Sequence, residues 1–305
     1  MPQPSGSAVP VLPTSQPSAP RPKSHVQSAF DRIRDCPLYL GRPDVLDHID
    51  WEHNPSNGTV IAIERVQDAD PDASIVEAQF KLLAQIEGEN YYLFVDGGWT
   101  DRSVVKDFAK AKRTALLSPG TRHQCIIDNW SVVQANIGKL QEGAKMKNNV
   151  KVDGGVPGSI LLVPDSDRIR VRHAIFTEKL KTPEPPDNGD FAAHSWKCRS
   201  DDVTAKLEEI ITSGKYYAHV LPAYDIHDSL IPPDDYEAML RGALVEIDLA
   251  MSYQYFHSNS KHNWWFDIRS IHVVKPPMSM PSSPSKRRAT DKVDDPKGKK
   301  VVRGH

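Results

Sequence analysis

The chain has 305 residues, of which 39% are hydrophobic and 26% charged, and its formal net charge is −2. This composition is typical of a globular protein with enough apolar material for one large domain or two ordinary ones. A charge this close to neutral argues against a protein that coats duplex nucleic acid by phosphate neutralisation alone, because such proteins normally carry a strong basic excess.

Residues 1–30 predict a disordered arm rich in Pro and Ser. Residues 1–24 contain seven prolines among Ser, Gln and Ala, and this composition cannot bury enough apolar area to offset the entropy of ordering. The start lacks the cationic and apolar regions of a secretory signal, and no later run of about 18 apolar residues could span a membrane. We therefore expect an intracellular protein, nuclear or cytoplasmic, without membrane association.

Residues 31–157 predict a small α/β domain. The predicted elements are, in chain order, a short helix near 28–34, a strand at 58–66, a helix from Asp72 or Ser74 to Gly88, a strand at 91–98 and a helix at 102–117. The strands are indicated by β-branched and aromatic runs, and the helices by capping residues followed by apolar residues. The helix at 102–117 is expected to end at a Ser-Pro-Gly turn over 118–120.

Residues 158–277 predict a β-rich domain that contains one helix. Its predicted strands are 159–163, 168–176, 191–197, 216–221, 242–251 and 264–274, with a helix at 203–211 capped by Asp201 or Asp202. In the last strand the step from Ile268 to Ile271 breaks the period of two. A one-residue bulge there would restore the alternation, and bulges are frequent where barrels bend.

Aromatic residues interleaved with basic ones form the most suggestive pattern of this second domain. The aromatic residues are Trp196, Tyr216, Tyr217, Tyr253, Tyr255, Phe256, Trp264 and Trp265, and the basic residues are Lys197, Arg199, Lys261 and Arg269. Adjacent residues of a strand point to opposite faces, so each of the pairs 216/217 and 264/265 must expose one ring or bury it outside the domain. An exposed ring can stack on a base, and the alternative is that it packs on the N-terminal domain.

The order of these features resembles the OB-fold single-stranded-DNA-binding proteins of phages, over residues 158–275. The segments that carry the resemblance are a strand ending in Phe176-Thr-Glu-Lys-Leu-Lys-Thr-Pro183, the loop Pro222-Ala-Tyr-Asp225, Tyr236 with Gly242-Ala-Leu-Val245, Tyr253 and Ile268-Arg-Ser-Ile271. The resemblance implies an α+β fold, with a C-terminal OB-like antiparallel β-barrel after a small α/β region, between disordered termini. Residues 221–227 and 240–244 also resemble uncharacterised proteins of mushroom-forming fungi.

Motifs for catalysis, metals and nucleotides are weak or missing. His48 and His53 are five residues apart, which suits neither a helical zinc pair nor one face of a strand, and Lys145 is displaced from its place in a phosphate-binding loop. The three cysteines, Cys36, Cys125 and Cys198, are far apart and are expected to be free thiols. We expect no cofactor, no metal site and no catalytic residues.

Residues 278–305 predict a disordered basic tail. Two basic clusters resemble a loose bipartite nuclear-import signal, and such clusters also bind polyanions; they comprise Lys286, Arg287, Arg288, Lys297, Lys299 and Lys300. Ser283 precedes a proline, as proline-directed kinases require, and a phosphate there would oppose the adjacent positive charge.

These features favour a protein that binds single-stranded nucleic acid by base stacking and phosphate contacts. The predicted binding residues are Trp196, Lys197, Arg199, Tyr216, Tyr217, Tyr253, Tyr255, Trp264, Trp265 and Arg269. The alternative is a protein–protein adaptor in which the same face docks a protein partner, and a third is an enzyme with an unrecognised site. Salt separates the first two, because phosphate contacts weaken steeply as salt rises.

Overall fold

The computed structural model describes eight parts of the chain, with gaps between them. These are residues 24–54, 58–65, 75–147, 156–157, 161–163, 166–181, 186 and 188–278. Most of the predicted arm, the two basic clusters and Ser283 lie outside the described residues, and so do residues 159 and 160 of the strand predicted at 159–163.

The protein is a mixed α/β fold with one large sheet and few helices. The strands are β1 (Ile49–Asn54), β2 (Thr59–Glu64), β3 (Gln79–Ile86), β4 (Lys112–Ser118), β5 (Val156–Pro157), β6 (Ile169–Ala174), β7 (Phe176–Glu178), β8 (Tyr216–Ala218), β9 (Ala223–Tyr224), β10 (Leu244–Phe256) and β11 (Lys261–Lys275). The helices are α1 (His25–Arg34), α2 (Gln124–Lys147), α3 (Asp201–Ser213) and α4 (Tyr236–Leu240). None of the helices within the described ranges is long and apolar enough to cross a membrane.

Five strands of the large sheet pair in a closed circuit. The hairpin of β10 and β11 is its longest part, β3 pairs antiparallel with β10, and β4 pairs antiparallel with both β3 and β6. The circuit closes where β6 runs parallel to β11, with Asp267 opposite Arg172. Of the remaining strands, β2 pairs with β10 and β1 pairs with β2, while β5 and β9 pair with β11. β7 and β8 form a separate two-stranded sheet.

The β10–β11 hairpin contains the predicted bulge. Asp248 is opposite Ser270, but the next residue, Leu249, is opposite Ile268, so Arg269 has no partner in the ladder. The extra residue lets Ile268 and Ile271 both reach the interior, where each is at most 2% exposed. The sequence prediction at this position is confirmed.

Two predicted helices are strands in the structure. The run at 79–86 forms β3 and the run at 112–118 forms β4, in place of the helices predicted at 72–88 and 102–117. Short apolar runs do not distinguish a buried strand from a buried helix, and here pairing with β10 and β6 decides the outcome. The strand predicted at 91–98 is instead a series of turns with one β-bridge, at Tyr92. The strand predicted at 191–197 is instead a loop with a short 3₁₀ turn at Ala193–Ser195.

One hydrophobic core runs through the closed circuit and under α1 and α2. It includes residues from Val26 to Val274, and Phe80 of β3 meets Phe266 of β11 edge to face inside it. The boundary predicted at 157/158 therefore falls between strands that share one sheet and one core. A second, smaller cluster lies under α3 and includes Phe108, Phe176 and Trp196.

Candidate nucleic-acid interface

A groove on the outer face of β4, β6 and β11 combines basic side chains with an aromatic ring. Its volume is about 260 Å³, and we define the basic groove by Lys112, Thr114, Arg170, Arg172 and Trp265, which all line it. Arg170 is exposed, and the other four are half-buried.

Strand alternation and register place these residues together. In β6, Ile169 and Val171 are buried, so Arg170 and Arg172 between and after them face outward. Thr114 of β4 is paired with Arg172 and therefore shares that face. Trp265 lies on β11 two residues before Asp267, the partner of Arg172, and so reaches the same side.

The guanidinium of Arg172 is held in a fixed plane. Its Nε and Nη2 donate to Oδ1 and Oδ2 of Asp267 at 2.7 and 3.1 Å, and its central carbon lies 4.2 Å from the centre of the Trp265 ring. Both partners of the ion pair are only 22–23% exposed. A bidentate carboxylate and an aromatic face together fix an arginine, which leaves a flat cationic surface ready for a ligand.

Two further cations in the groove lack a carboxylate partner. Neither the Lys112 ammonium nor the Arg170 guanidinium makes a side-chain hydrogen bond or ion pair within the described part of the chain. Burial lowers the pKa of Lys112, the nearby Arg172 charge lowers it further, and the Asp267 carboxylate raises it. Lys112, Arg170 and Arg172 are three cations near this one carboxylate, so the groove has an excess of positive charge that an anion would relieve.

Three of the rings predicted to bind are buried in the protein. Tyr253, Trp264 and Trp196 are 0%, 3% and 5% exposed. The Trp264 indole donates to the Gln141 carbonyl of α2, and the Tyr253 hydroxyl is 2.8 Å from His262 Nδ1. Trp264 thus packs against α2, which agrees with the alternative that one ring of the 264/265 pair packs on the N-terminal part of the chain. A base could not reach any of the three buried rings without a rearrangement.

The remaining predicted rings are half-buried and lie in several places. Tyr216 packs on the second cluster, while Tyr217 of β8 has the Lys179 ammonium 5.0 Å from its ring centre. Tyr255 contacts the ring of His262. Trp264 and Trp265 both line the groove, but only Trp265 is more than 3% exposed there.

The predicted basic residues are ion-paired. Lys197 contacts Asp234 at 2.6 Å, Arg269 makes two bonds of 2.7 Å to Glu77, and Arg199 contacts the buried Asp96. None of these three basic residues lines the basic groove.

The sequence reasoning missed Lys112, Arg170 and Arg172. The signal for the two arginines was present, because Arg168-Ile-Arg-Val-Arg172 alternates charged and β-branched residues and so predicts a row of cations on one face of a strand. Lys112 had no comparable signal, since the segment around it was interpreted as a helix.

A buried arginine lies behind the groove, on the opposite face of β4. Arg113 is fully buried and donates to the carbonyls of Phe94, Val95 and His219, and its Nη1 is 3.2 Å from His173 Nδ1. Burial lowers the pKa of Arg113 to about 10. Burial, and after it the positive charge of Arg113, lower the pKa of His219 to about 4. The same two causes lower the pKa of His173 well below 6.5.

No group of three or more His, Cys, Asp or Glu side chains is placed to hold a metal ion among the residues described. The three cysteines are free thiols in the structure, as expected from their spacing.

Comparison with known proteins finds similar solved structures, among them two single-stranded DNA-binding proteins of phages. No protein-family model matches the chain, and neither does any curated protein. A single-stranded DNA-binding protein encoded by bacteriophage T7 covers 68% of this chain and 97% of its own, with a TM-score of 0.37 and 11% identity. A C-terminally truncated single-stranded DNA-binding protein from bacteriophage Enc34 covers 71% and 100%, with a TM-score of 0.32 and 11% identity. The structural similarity to these phage proteins is weak.

Proposed function

We propose that this protein binds single-stranded nucleic acid in the basic groove, and that the five-strand circuit is an OB-type barrel. An OB barrel has five strands and presents the face of its second and third strands to oligonucleotides. In chain order β4 and β6 are the second and third strands of the circuit, and they supply four of the five residues of the groove.

The observation that carries the proposal is the combination of a fixed guanidinium–tryptophan platform with two unpartnered cations. A base can stack on the exposed side of the Arg172–Trp265 pair, since planar guanidinium groups and aromatic rings are the surfaces on which proteins hold unpaired bases. A neighbouring phosphate would then supply the negative charge that Lys112 and Arg170 lack.

The position of the platform favours a single strand over a duplex. Trp265 is half-buried on the floor of a groove of about 260 Å³. The faces of duplex bases are covered by their neighbours in the stack, so only an unpaired base can lie flat on this surface. Arg199 belongs to the proposed interface, whereas Trp196, Tyr253 and Trp264 do not, because they are buried.

The test is a charge-neutralising pair with a matched control. The variant K112Q/R170Q removes the two unpartnered cations, and K139Q/K215Q removes two exposed lysines, of α2 and of the turn after α3, that do not line the groove. Fluorescence anisotropy with a labelled oligothymidylate and a matching duplex measures affinity from 50 to 300 mM salt. The measurement is made on the full chain and on residues 24–278, because the basic clusters can bind polyanions themselves.

We expect K112Q/R170Q to bind the single strand roughly tenfold more weakly, with the slope of log affinity against log salt reduced by about 0.7 per charge removed. The control variant should keep the affinity of the unaltered chain. Equal binding by both variants, or binding that disappears with the tail, would refute the proposal and favour the adaptor alternative.

A further inference from the structure

Arg199 is held in the same way as Arg172. Its guanidinium carbon lies 4.4 Å from the centre of the Phe94 ring, and its Nε is 3.3 Å from Oδ1 of Asp96. The Asp96 side chain is completely buried, while that of Arg199 is 44% exposed. The structure therefore contains two arginines that are each stacked on an aromatic ring and anchored by a carboxylate, with one face left to solvent.

Asp96 also accepts hydrogen bonds from the backbone of Gly98 and of Arg199 itself. Its Oδ1 accepts from the Gly98 backbone at 2.8 Å, and its Oδ2 accepts from the Arg199 backbone at 3.1 Å. A carboxylate that is fully buried and bonded to two backbone groups is rigid, so the position of the Arg199 guanidinium is set before any ligand arrives.

An exposed tyrosine lies between the two arginines. Tyr92 is 43% exposed and bridges Thr114 on the side of β4 opposite to β6. Because paired residues share a face, Tyr92, Thr114 and Arg172 form one row across the sheet.

Gly98 brings Arg199 next to this row. A side-chain carbon placed on Gly98 would lie 2.7 Å from the Tyr92 ring and 3.2 Å from Arg199 Nη2. Gly98 also has a φ of 69°, which side chains other than glycine rarely adopt, so both the backbone conformation and the lack of space require glycine here. The Tyr92 ring and the Arg199 guanidinium therefore lie on either side of Gly98, at the end of the row away from Trp265.

We propose that Tyr92 and Arg199 form a second contact point, at which the strand bound in the basic groove stacks a further base and places a further phosphate. This inference rests on the proposed function. Adjacent strands are about 4.8 Å apart, so Arg172 and Tyr92 are separated by about 10 Å. That is roughly three nucleotides at the 3.4 Å rise of a stacked strand, and fewer when the strand is extended. A ligand must therefore exceed the length that fills the groove before it reaches Tyr92.

Oligonucleotide length separates the two contact points. The full-length protein is titrated with dT2, which is too short to span the 10 Å, and with dT12, with binding followed by intrinsic tryptophan fluorescence, for the variants Y92A, Y92F, R199K and K112Q/R170Q. Y92A removes only an exposed ring, and Y92F retains it. R199K retains the charge but loses the planar group that stacks on Phe94.

We expect Y92A and R199K to bind dT12 about tenfold more weakly while binding dT2 like the unaltered chain, and Y92F to match the unaltered chain on both. K112Q/R170Q should weaken both oligonucleotides. Unchanged dT12 binding by Y92A, or an equal loss on dT2 and dT12, would overturn the second contact point. If K112Q/R170Q still lost affinity, the proposed function would stand; if K112Q/R170Q were also unaffected, the proposed function would fail as well.

Discussion

Trp264 and Trp265 are adjacent in β11 and lie in opposite surroundings. Trp264 is 3% exposed, donates its indole hydrogen to the Gln141 carbonyl and is stacked with His262. Trp265 is half-buried in the basic groove under the Arg172 guanidinium. One residue of strand alternation thus separates a core ring from a candidate binding ring.

The two tryptophans should respond differently to truncation. We expect Trp264→Ala to lower the free energy of unfolding by about 3–5 kcal/mol, because it leaves a large cavity and removes the indole's hydrogen bond to the Gln141 carbonyl of α2. Trp265→Ala should cost less stability and instead weaken single-strand binding by about 1–3 kcal/mol. Urea denaturation and anisotropy titration measure the two effects separately.

Trp265→Phe is the matched control, because it retains a ring on which Arg172 can stack. It should recover most of the affinity that the alanine variant loses. An affinity loss in folded Trp264→Ala as large as that in Trp265→Ala would contradict this division of roles.

At the scale of elements, the sequence predicted the parts with local signals. The alternation of β11 and its broken step at 268–271 identified the strand and its bulge, and α3 begins and ends within two residues of the prediction. In contrast, β3 and β4 are apolar runs without alternation, and their strand identity depends on β10 and β6, which are distant in sequence. Such pairing is decided by tertiary structure and cannot be derived from the run alone.

The long helix α2 was missed although its periodicity is present. Its buried residues are spaced by three and four positions, at Ile126, Trp130, Val133, Ile137, Leu140 and Ala144. Glycines at 138 and 143 lower its helix propensity, and they serve different purposes. A carbon added at Gly143 would lie 2.8 Å from Trp51 Nε1, whereas one at Gly138 would meet nothing within 4 Å.

Alanine substitutions at these glycines should therefore differ. Gly138→Ala should raise the free energy of unfolding by about 0.5–1 kcal/mol, because alanine favours the helix and fills open space. Gly143→Ala gains the same propensity but forces the Trp51 ring to move, so it should be the less stable of the two. Thermal or urea denaturation of both variants decides the point, and equal stabilisation would show that α2 does not need this close approach to β1.

At the scale of the whole molecule, the sequence predicted a binding region but not its composition. Trp265 and Arg199 were identified, whereas the cations that complete the groove come from β4 and β6, on both sides of the predicted boundary at 157/158. A groove between strands far apart in sequence has no linear motif. A net charge of −2 also conceals it, because paired surface charges elsewhere balance the local excess.

The buried Arg113 connects the large sheet to the part of the molecule that carries α3. It donates to carbonyls of two loops and lies 5.4 Å from the Trp196 ring centre, with His173 and His219 beside it. The hydroxyl of Thr177 is 2.7 Å from His219 Nε2. Protonating either histidine would place a second positive charge in a site that already holds a buried guanidinium.

Stability should therefore fall in mild acid. The folded pKa of His219 is lowered to about 4, and that of His173 is also lowered, from an ordinary value of 6.5. Between these values the unfolded chain binds protons that the folded chain does not, so the free energy of unfolding is highest above pH 6.5 and decreases as the pH falls towards 4. Carboxylates with lowered pKa values, such as Asp50 and Asp225, have an ordinary value of 3.8 and act in a lower range.

The urea midpoint at pH 7, 6, 5 and 4.5 measures this dependence. His219→Asn removes one titrating group while keeping a polar side chain near Thr177, so its midpoint should decline less between pH 7 and 5. His227→Asn, at an exposed turn, is the matched control and should retain the full decline. A midpoint that is constant from pH 7 to 5 in the unaltered chain would mean that the two half-buried histidines bind protons in the folded state as readily as in the unfolded state, and that Arg113 does not hold them neutral.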